Sequence, residues 1–292
     1  MERITNIPRL PERPADAHKG DFGRVCIVAG SVGMSGAAAL AGRAALRAGS
    51  GLVRVATARS AQPVVAALEP CYTTIGLAED DAGRIAFGAV DAILQAVEVN
   101  DAMAVGPGLG LSNDLRKVVE VLIAQTELPL VIDGDGLNNL AALGDWPARA
   151  KARIILTPHG GEMKRLWRGL IREDMPADRQ AVAAQFAHQT GAVVALKGAG
   201  TVVTDAQSLY INQTGNPGMA TAGCGDVLTG VVVSLLGQGL PPFDAAVLGV
   251  HIHGLAGDIT AARVGQTSLI ATDILESLCG AFRQLQGPDE TV

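Results

Sequence analysis

The sequence predicts an α/β fold in which a mostly parallel central sheet is covered by helices on both faces. Short, continuously apolar runs alternate with alanine-rich helical stretches along the first two thirds of the chain. Continuous apolar strands are typical of parallel sheets that are buried on both sides. The 292 residues, 48% of them hydrophobic and 18% charged, can bury a large core. Because no proline- or serine-rich linker or charge run divides the chain, we expect residues 1–292 to form one domain.

The order of the elements follows from these runs. Strands are predicted at 25–30, 52–57, 102–105, 129–133, 153–157 and 192–197, and the main helices between them at 36–49, about 114–125 and about 177–189. Two short runs around a turn at Ala206–Gln207 predict a hairpin. From Gly225 onward the apolar spacing predicts three helices.

Composition excludes several classes of protein. A net charge of −6, from 23 basic and 29 acidic residues, makes the protein a poor candidate for binding a nucleic-acid backbone, which needs a basic face, and 3% aromatic residues argue against a base-stacking platform. The four cysteines are far apart and form no CxxC pair, so we expect reduced, mostly buried thiols and neither a zinc site nor a disulfide framework.

Membrane and secretion signals are not expected either. The first twenty residues have no apolar core of a signal peptide, and the best apolar run, VVVSLLGQGL, breaks at Gly237 before it reaches about 18 residues. A cytoplasmic protein without nucleic-acid or membrane partners is the expectation.

In a parallel sheet, ligands bind at the carboxyl ends of the strands. Around the first strand stand HKGDFG (18–23) and the glycine turn 30–37, which brings backbone N–H groups near an anion or is simply a tight strand–helix turn. Its glycines are three apart and do not form a strict dinucleotide-binding GxGxxG motif. VGPGLG (105–110) is a rigid loop with little side chain, or a plain turn.

Two strand ends carry charged residues. Asp133 and Asp135 are candidates for a metal–phosphate site, although capping of the next helix, by Asp135, is the simpler explanation for at least one of them. His159 lies between Pro158 and two glycines, where packing is a poor explanation for a histidine, and Glu162 is either a site residue or a first-turn acid. His251 and His253 lie in an apolar helix, and packing explains them better than a metal site does.

The strongest signal is the glycine-rich segment 216–226, which leads directly into an apolar helix. A helix N-terminus preceded by glycines forms an anion hole of backbone N–H groups. Asp226, in the first turn, is placed to accept a proton from an attacking hydroxyl. Dipole compensation is its simpler alternative. Cys224 has no identifiable histidine partner and is interpreted as a small loop residue.

Seven motifs in this order resemble the ADP-dependent NAD(P)H-hydrate dehydratases of the ribokinase-like superfamily. They are HKGDFG, GAAALAGRAALRAGSGLV, VGPGLG, DGDGLN, LTPHGGE, LKGAGTVV and NPGMATAGCGDVLTG. The resemblance spans nearly the whole chain and implies a three-layer α/β/α fold. The implied reaction removes water from the S epimer of hydrated NADH or NADPH while ADP is converted to AMP and phosphate.

The resemblance also implies the site residues. The hydrated dinucleotide is expected at Ala37, Gly108, His159 and Asp226; ADP at Lys197, Gly198, Ala199, Gly200, Thr201 and Gly225; and Asp226 at the reacting hydroxyl. Mg²⁺ is expected with the nucleotide, without assigned ligands. A homo-oligomer, by resemblance a tetramer, is expected, as is a separate NAD(P)H-hydrate epimerase, because the chain has no room for a second domain of that size.

Some positions depart from the family pattern. Gly160 replaces a usual proline, Cys224 a common serine, glycines replace alanines in DGDGL, and Met34–Ser35 stand where a tyrosine is frequent. Two alternatives remain open: a kinase of the same superfamily acting on a vitamin-precursor alcohol, and a nucleotide-binding module without turnover.

Overall fold

The computed structural model of the protein describes residues 1–286, which form one β-sheet covered by helices on both faces. Its ten-stranded sheet consists of β1 (Glu2–Arg3), β2 (Arg24–Val28), β3 (Leu52–Ala58), β4 (Thr73–Leu77), β5 (Ala102–Val105), β6 (Pro129–Ile132), β7 (Arg153–Leu156), β8 (Val193–Leu196), β9 (Val202–Thr204) and β10 (Ser208–Ile211). The helices of the described residues are α1 (Ser35–Arg47), α2 (Gln62–Leu68), α3 (Val90–Glu98), α4 (Asn113–Gln125), α5 (Gly134–Ala141), α6 (Gly160–Leu170), α7 (Arg179–Thr190), α8 (Cys224–Gly237), α9 (Pro242–Val264) and α10 (Ala271–Gln286).

The strand order is β1-β10-β9-β8-β7-β6-β5-β2-β3-β4. All neighbouring strands pair in parallel except β8 with β9 and β9 with β10, which are antiparallel. From β2 the chain runs outward through β3 and β4, and it then returns to β5 on the other side of β2. This reversal opens a crevice between the carboxyl ends of β2 and β5, where ligands of open α/β sheets bind.

Two hydrophobic cores cover the two faces of the sheet. One face packs against α1, α8, α9 and α10, and the other against α3 to α7. Alternate residues of the buried strands point to opposite cores: Val25 and Ile27 of β2 face the first core, and Cys26 and Val28 face the second. The predicted α/β fold with a mostly parallel sheet is confirmed.

Local predictions were correct where the apolar signal was strong and wrong where it was weak. The predicted hairpin forms as β9 and β10, with Ala206 in the left-handed region at φ 74°. The short elements β1, β4, α2 and α3 were missed. Helix α9 is by length and composition long and apolar enough to cross a membrane, although its apolar residues form no uninterrupted run. Of its most apolar 18-residue stretch, 61% is buried inside the protein.

The cysteines are free thiols, as expected. Cys26 and Cys224 are buried, whereas Cys71 and Cys279 are exposed, so the expectation of mostly buried thiols holds for half of them. Burial raises the pKa of the Cys26 thiol to about 12 and that of Cys224 to about 11. Both buried thiols are therefore protonated and act as small apolar groups.

Candidate active site

A cavity of about 880 Å³ lies at the carboxyl edge of the sheet, beyond β6, β7 and β8. The residues predicted to bind the nucleotide or to act on the substrate line it, all except Ala37 and Gly108: His159, Lys197, Gly198, Ala199, Gly200, Thr201, Gly225 and Asp226. The segment 212–217 and the start of α8 close one side of it. The predicted nucleotide residues and the predicted catalytic residue thus share one cavity.

The N-terminus of α8 opens into this cavity. Gly223 precedes the helix with φ 88°, a left-handed conformation that lets the chain turn sharply into the first helical turn. No side chain caps the helix, so its first N–H groups are left for a ligand. Asp226 lies in this first turn and lines the cavity. The predicted anion hole and carboxylate are therefore adjacent.

The pKa of the Asp226 carboxyl lies near neutral pH. Burial raises its pKa to about 7, the charge of Asp133 adds to the rise, and Lys197 opposes it. A base whose pKa is close to the working pH is the most effective for proton transfer. In the described part of the chain Asp226 makes no ion pair, so its oxygens are available to a substrate hydroxyl.

Lys197, at the end of β8, lies among carboxylates and not in open solvent. Its ammonium is 2.6 Å from Asp133 Oδ1 and 3.8 Å from Glu162 Oε2. Burial lowers its pKa, but the two carboxylates outweigh burial, and the pKa lies above the ordinary lysine value. A Cβ on Gly225 would be 3.2 Å from Lys197 Nζ. The lysine therefore reaches the N-terminus of α8, where it would meet a bound phosphate.

The two aspartates of DGDG, predicted as a metal–phosphate site, both accept hydrogen bonds within the protein. Asp133 is 2% exposed and accepts hydrogen bonds from Lys197 and from Thr229 Oγ1, at 2.7 Å. Asp135 accepts from Gly110 N at 2.8 Å and does not cap α5, so the capping alternative is wrong. Within residues 1–286 no group of three or more His, Cys, Asp or Glu side chains is arranged to hold a metal ion.

The loop 197–201 is fixed by a residue that the sequence did not single out. Arg179, at the start of α7, donates to the carbonyl oxygens of Ala199 at 2.6 Å and Leu196 at 3.0 Å. A Cβ on Gly198, whose φ is 148°, would be 2.8 Å from the Arg179 guanidinium. The glycine thus admits the arginine that shapes the predicted nucleotide loop.

His159 has a structural role that sequence reasoning did not find. It is the N-cap of α6: its Nδ1 accepts from Gly161 N at 2.9 Å, and Glu162 Oε2 accepts from His159 N at 2.8 Å. Burial, followed by the charges of Lys197 and Arg165, holds the pKa of His159 below its usual value. The imidazole is therefore neutral, and half of its side chain is exposed to the cavity. A contact with substrate remains compatible with the cap.

Ala37 and Gly108 lie together beside the cavity, in the crevice between β2 and β5. A Cβ on Gly108 would be 2.9 Å from the Ala37 Cβ. The two loops are joined by hydrogen bonds from Ser31 Oγ to the Gly108 carbonyl, at 2.8 Å, and from Gly30 N to Pro107 O, at 2.8 Å. The predicted dinucleotide loops thus form one surface at the switch point of the sheet.

HKGDFG lies at the opposite edge of the sheet. It forms a 3₁₀ helix, Lys19–Phe22, before β2, and Gly23 packs on Gly237 at the end of α8. Gly23 therefore serves the junction of α8 with the sheet, and no residue of the motif lines the cavity. The apolar-helix histidines are not a metal pair either: His251 Nδ1 is 3.5 Å from the Tyr210 hydroxyl, and His253 borders the cavity.

These features can be compared with known proteins. Residues 25–279 match the sequence profile of a family described as NAD(P)H-hydrate dehydratase. The chain belongs to this family. The match favours the dehydratase family over the vitamin-precursor kinases, with which it shares the glycine-rich anion hole and the position of Asp226.

The known relatives of this chain are of different lengths. The bifunctional NAD(P)H-hydrate repair enzyme of Moorella thermoacetica is 43% identical over 97% of this chain and 54% of that protein. The ADP-dependent (S)-NAD(P)H-hydrate dehydratase of Neisseria meningitidis serogroup B is 37% identical over 90% of this chain and 86% of that protein. The chain therefore spans about half the length of the bifunctional relatives.

Solved structures agree with the fold. The ADP/ATP-dependent NAD(P)H-hydrate dehydratase of Bacillus subtilis, co-crystallised with ATP and Mg²⁺, has a TM-score of 0.80 at 28% identity, with 94% of each chain covered. The ribokinase of Thermotoga maritima has a TM-score of 0.52 at 16% identity, over 89% of this chain and all of that one, which places the fold in the ribokinase-like group.

Proposed function

We propose that this protein converts the S epimer of hydrated NADH or NADPH to the dinucleotide, while ADP is converted to AMP and phosphate. The observation that carries the proposal is the unpaired Asp226 carboxyl, with a pKa of about 7, in the first turn of the uncapped helix α8. A base and an anion hole at the same point are what phosphoryl transfer to a hydroxyl requires.

The first step is the transfer of a phosphoryl group. Asp226 accepts the proton of the ring hydroxyl, whose oxygen attacks the β-phosphorus of ADP. The bond from that phosphorus to the bridging oxygen breaks, and AMP leaves. The N–H groups at the start of α8, including Gly225, and the Lys197 ammonium stabilise the negative charge on the phosphoryl oxygens.

The second step is the loss of phosphate. Hydroxide leaves poorly, whereas the phosphate ester leaves readily once the ring nitrogen lone pair pushes electrons toward the C–O bond. Loss of a proton from the neighbouring ring carbon then restores the dihydropyridine double bond. The protein supplies positioning and exclusion of water. The sum is hydrated NADH plus ADP giving NADH, AMP, phosphate and a proton.

ADP would lie in the cavity with its phosphates toward Gly225 and Lys197 and its nucleoside along loop 197–201. Mg²⁺ prefers a few protein oxygens together with phosphate oxygens. Because the described residues offer no cluster of ligands, we expect it to be carried by the phosphates, and no step above depends on it.

The proposal is tested with hydrated NADH, ADP and the purified protein. Recovery of the dihydropyridine absorbance, with one AMP and one phosphate released for each NADH formed, is the expected result. ATP and hydrated NADPH are run in parallel to determine which nucleotide and which hydrate are preferred. AMP release without recovery of absorbance, or no turnover with any of the four pairs, would contradict the proposal.

A substrate contact of His159 can be separated from its capping role. His159→Asn keeps an N-cap acceptor and removes the imidazole, whereas His159→Ala removes both. We expect both variants to raise KM for the hydrate more than KM for ADP. Only the alanine variant should lose about 1 kcal/mol of stability. Steady-state kinetics and urea unfolding measure the two effects. If the asparagine variant retains the wild-type KM for the hydrate, His159 is only a cap.

The cytoplasmic location, the tetramer, the single-domain organisation and the separate epimerase remain predictions. The bifunctional name of the longer relatives supports a second repair activity beside the dehydratase, which we propose to be the epimerase. Addition of an NAD(P)H-hydrate epimerase to the assay should allow the R epimer to be consumed as well.

A further inference from the structure

Three carboxylates surround the Lys197 ammonium, and each comes from a different part of the fold. Asp133 follows β6, Glu162 belongs to the first turn of α6, and Asp226 belongs to the first turn of α8. All three contribute to the electrostatic environment of Lys197. One ammonium group therefore has three carboxylates as possible ion-pair partners. The carboxylate that pairs with it leaves the charges of the other two without a nearby cation.

The structure resolves this competition in favour of Asp133. Lys197 Nζ is 2.6 Å from Asp133 Oδ1 but 3.8 Å from Glu162, and it forms no ion pair with Asp226. Asp133 is itself held in place, because Thr229 of α8 donates to its other oxygen at 2.7 Å. With 2% of its surface exposed, Asp133 has no alternative partner in water. Its two oxygens link the lysine to the helix that carries Asp226.

We propose that Asp133 is a positioning residue that holds the Lys197 ammonium away from Asp226, and so leaves the Asp226 carboxylate able to accept the substrate proton. The inference rests on the proposed function, in which Asp226 is the base. It assigns a role to a residue that has no place in the steps derived above, and it explains why a lysine lies so near an effective base without neutralising it.

Electrostatics gives the direction of the effect. An opposite charge within about 4–6 Å lowers the pKa of a carboxyl by roughly 1–3 units, and a like charge raises it. Asp133 acts in both ways, since its own charge raises the pKa of Asp226 and its ion pair occupies Lys197. The other charged groups that face Asp226 are Asp135 and Glu162, which also raise its pKa.

The neighbouring histidines add no positive charge near Asp226. Burial lowers the pKa of His159 and lowers that of His253, on α9, to about 4, so both are neutral at working pH. Lys197 is thus the cation that lowers the pKa of Asp226 against the effects of burial and of the neighbouring carboxylates, and Asp133 holds Lys197 in place.

The test is the pH dependence of kcat/KM for two variants with opposite expected shifts. In Asp133→Asn, Lys197 is released toward Asp226, and the acidic limb, expected near pH 7 in the wild type, should move down by about one unit or more. In Lys197→Gln, Asp226 loses its cation and the limb should move up. Shifts in the same direction, or no shift in either variant, would overturn the proposal.

A milder pair of variants covers the case in which Asp133→Asn fails to fold. Thr229→Val removes only the hydrogen bond that orients Asp133, and we expect a downward shift of about 0.5 unit. Thr260→Val is the matched control: its hydroxyl is equally buried and donates to Ser277 at 2.8 Å, between α9 and α10. Both should lower Tm, but only Thr229→Val should move the limb. If the acidic limb of the kcat/KM profile lies at the same pH in both threonine variants, the proposal is overturned.

A readout without substrate separates failure of this inference from failure of the proposed function. The difference in unfolding free energy between proteins with aspartate and asparagine at position 226, measured against pH, titrates Asp226 directly. In the Thr229→Val and Asp133→Asn backgrounds its midpoint should lie lower than in the wild type. If the midpoint is unchanged there, Asp133 does not position Lys197, whether or not the protein turns over hydrated NADH.

Discussion

Asp226→Asn is expected to lower kcat about 10²–10⁴-fold with hydrated NADH and ADP, because it removes the proton acceptor and keeps the size of the side chain. If Asp226 only complemented the dipole of α8, its loss would cost about 0.3–1 kcal/mol of stability and little catalysis. ADP affinity, measured by calorimetry, should stay near that of the wild type. A folded variant with kcat within about threefold of the wild type would remove Asp226 from the mechanism.

The same substitution should stabilise the protein above neutral pH. The pKa of Asp226 is about 7 in the folded protein against an ordinary value of 3.8, so folding holds the proton between these values, and stability falls as pH rises through this window. Asparagine has no proton to lose. The stability gain should therefore be absent below pH 4 and reach its maximum above pH 7, with an upper limit of about 4 kcal/mol. Urea unfolding at pH 4, 6 and 8 measures it, and equal gains at all three would contradict the raised pKa.

Sequence reasoning predicted the sheet well because buried parallel strands leave a direct signal. Ala102–Val105 was placed correctly to the residue, and the strand at 129–133 differed by one residue from β6. The missed strand β4, Thr73–Leu77, lies at the edge of the sheet, and most of its residues are partly exposed. It therefore lacks the continuous apolar run on which the prediction depended.

The site was predicted as a set of loops but not as a set of contacts. Glycine-rich strand ends mark where ligand loops stand, and the cavity lies at these ends. The pairing of Lys197 with Asp133 could not be predicted, because the residues are 64 positions apart and meet only through the register of β6, β7 and β8. The His159 cap had a detectable signal: Glu162 stands three residues after it, as in a capping box, with histidine in place of the usual serine or threonine.

The crossing of α1 and α8 offers the largest destabilising effect. Gly230 of α8 lies against the backbone of α1, and an added Cβ would overlap with the carbonyl oxygen of Ala41 and lie 2.7 Å from the Ala44 Cβ. A backbone carbonyl in a packed helix cannot rotate away as the end of a long side chain can. The two helices must therefore separate, although both are buried against the same face of the sheet.

We expect Gly230→Ala to destabilise the protein by about 3 kcal/mol, the upper part of the range for overpacked cores, despite the better helix propensity of alanine. Gly280→Ala in α10 is the matched control, because its Cβ would be 3.6 Å from Ile259 Cδ1, an ordinary contact, and it should stabilise by up to about 1 kcal/mol. Urea unfolding of both variants gives the comparison. Since α1 begins near Ala37 and α8 carries Asp226, the separation of the helices should also shift the two halves of the site against each other, and folded Gly230→Ala should lose kcat. Equal stabilities of the two variants would mean that the helices do not approach as closely as the Ala41 contact requires.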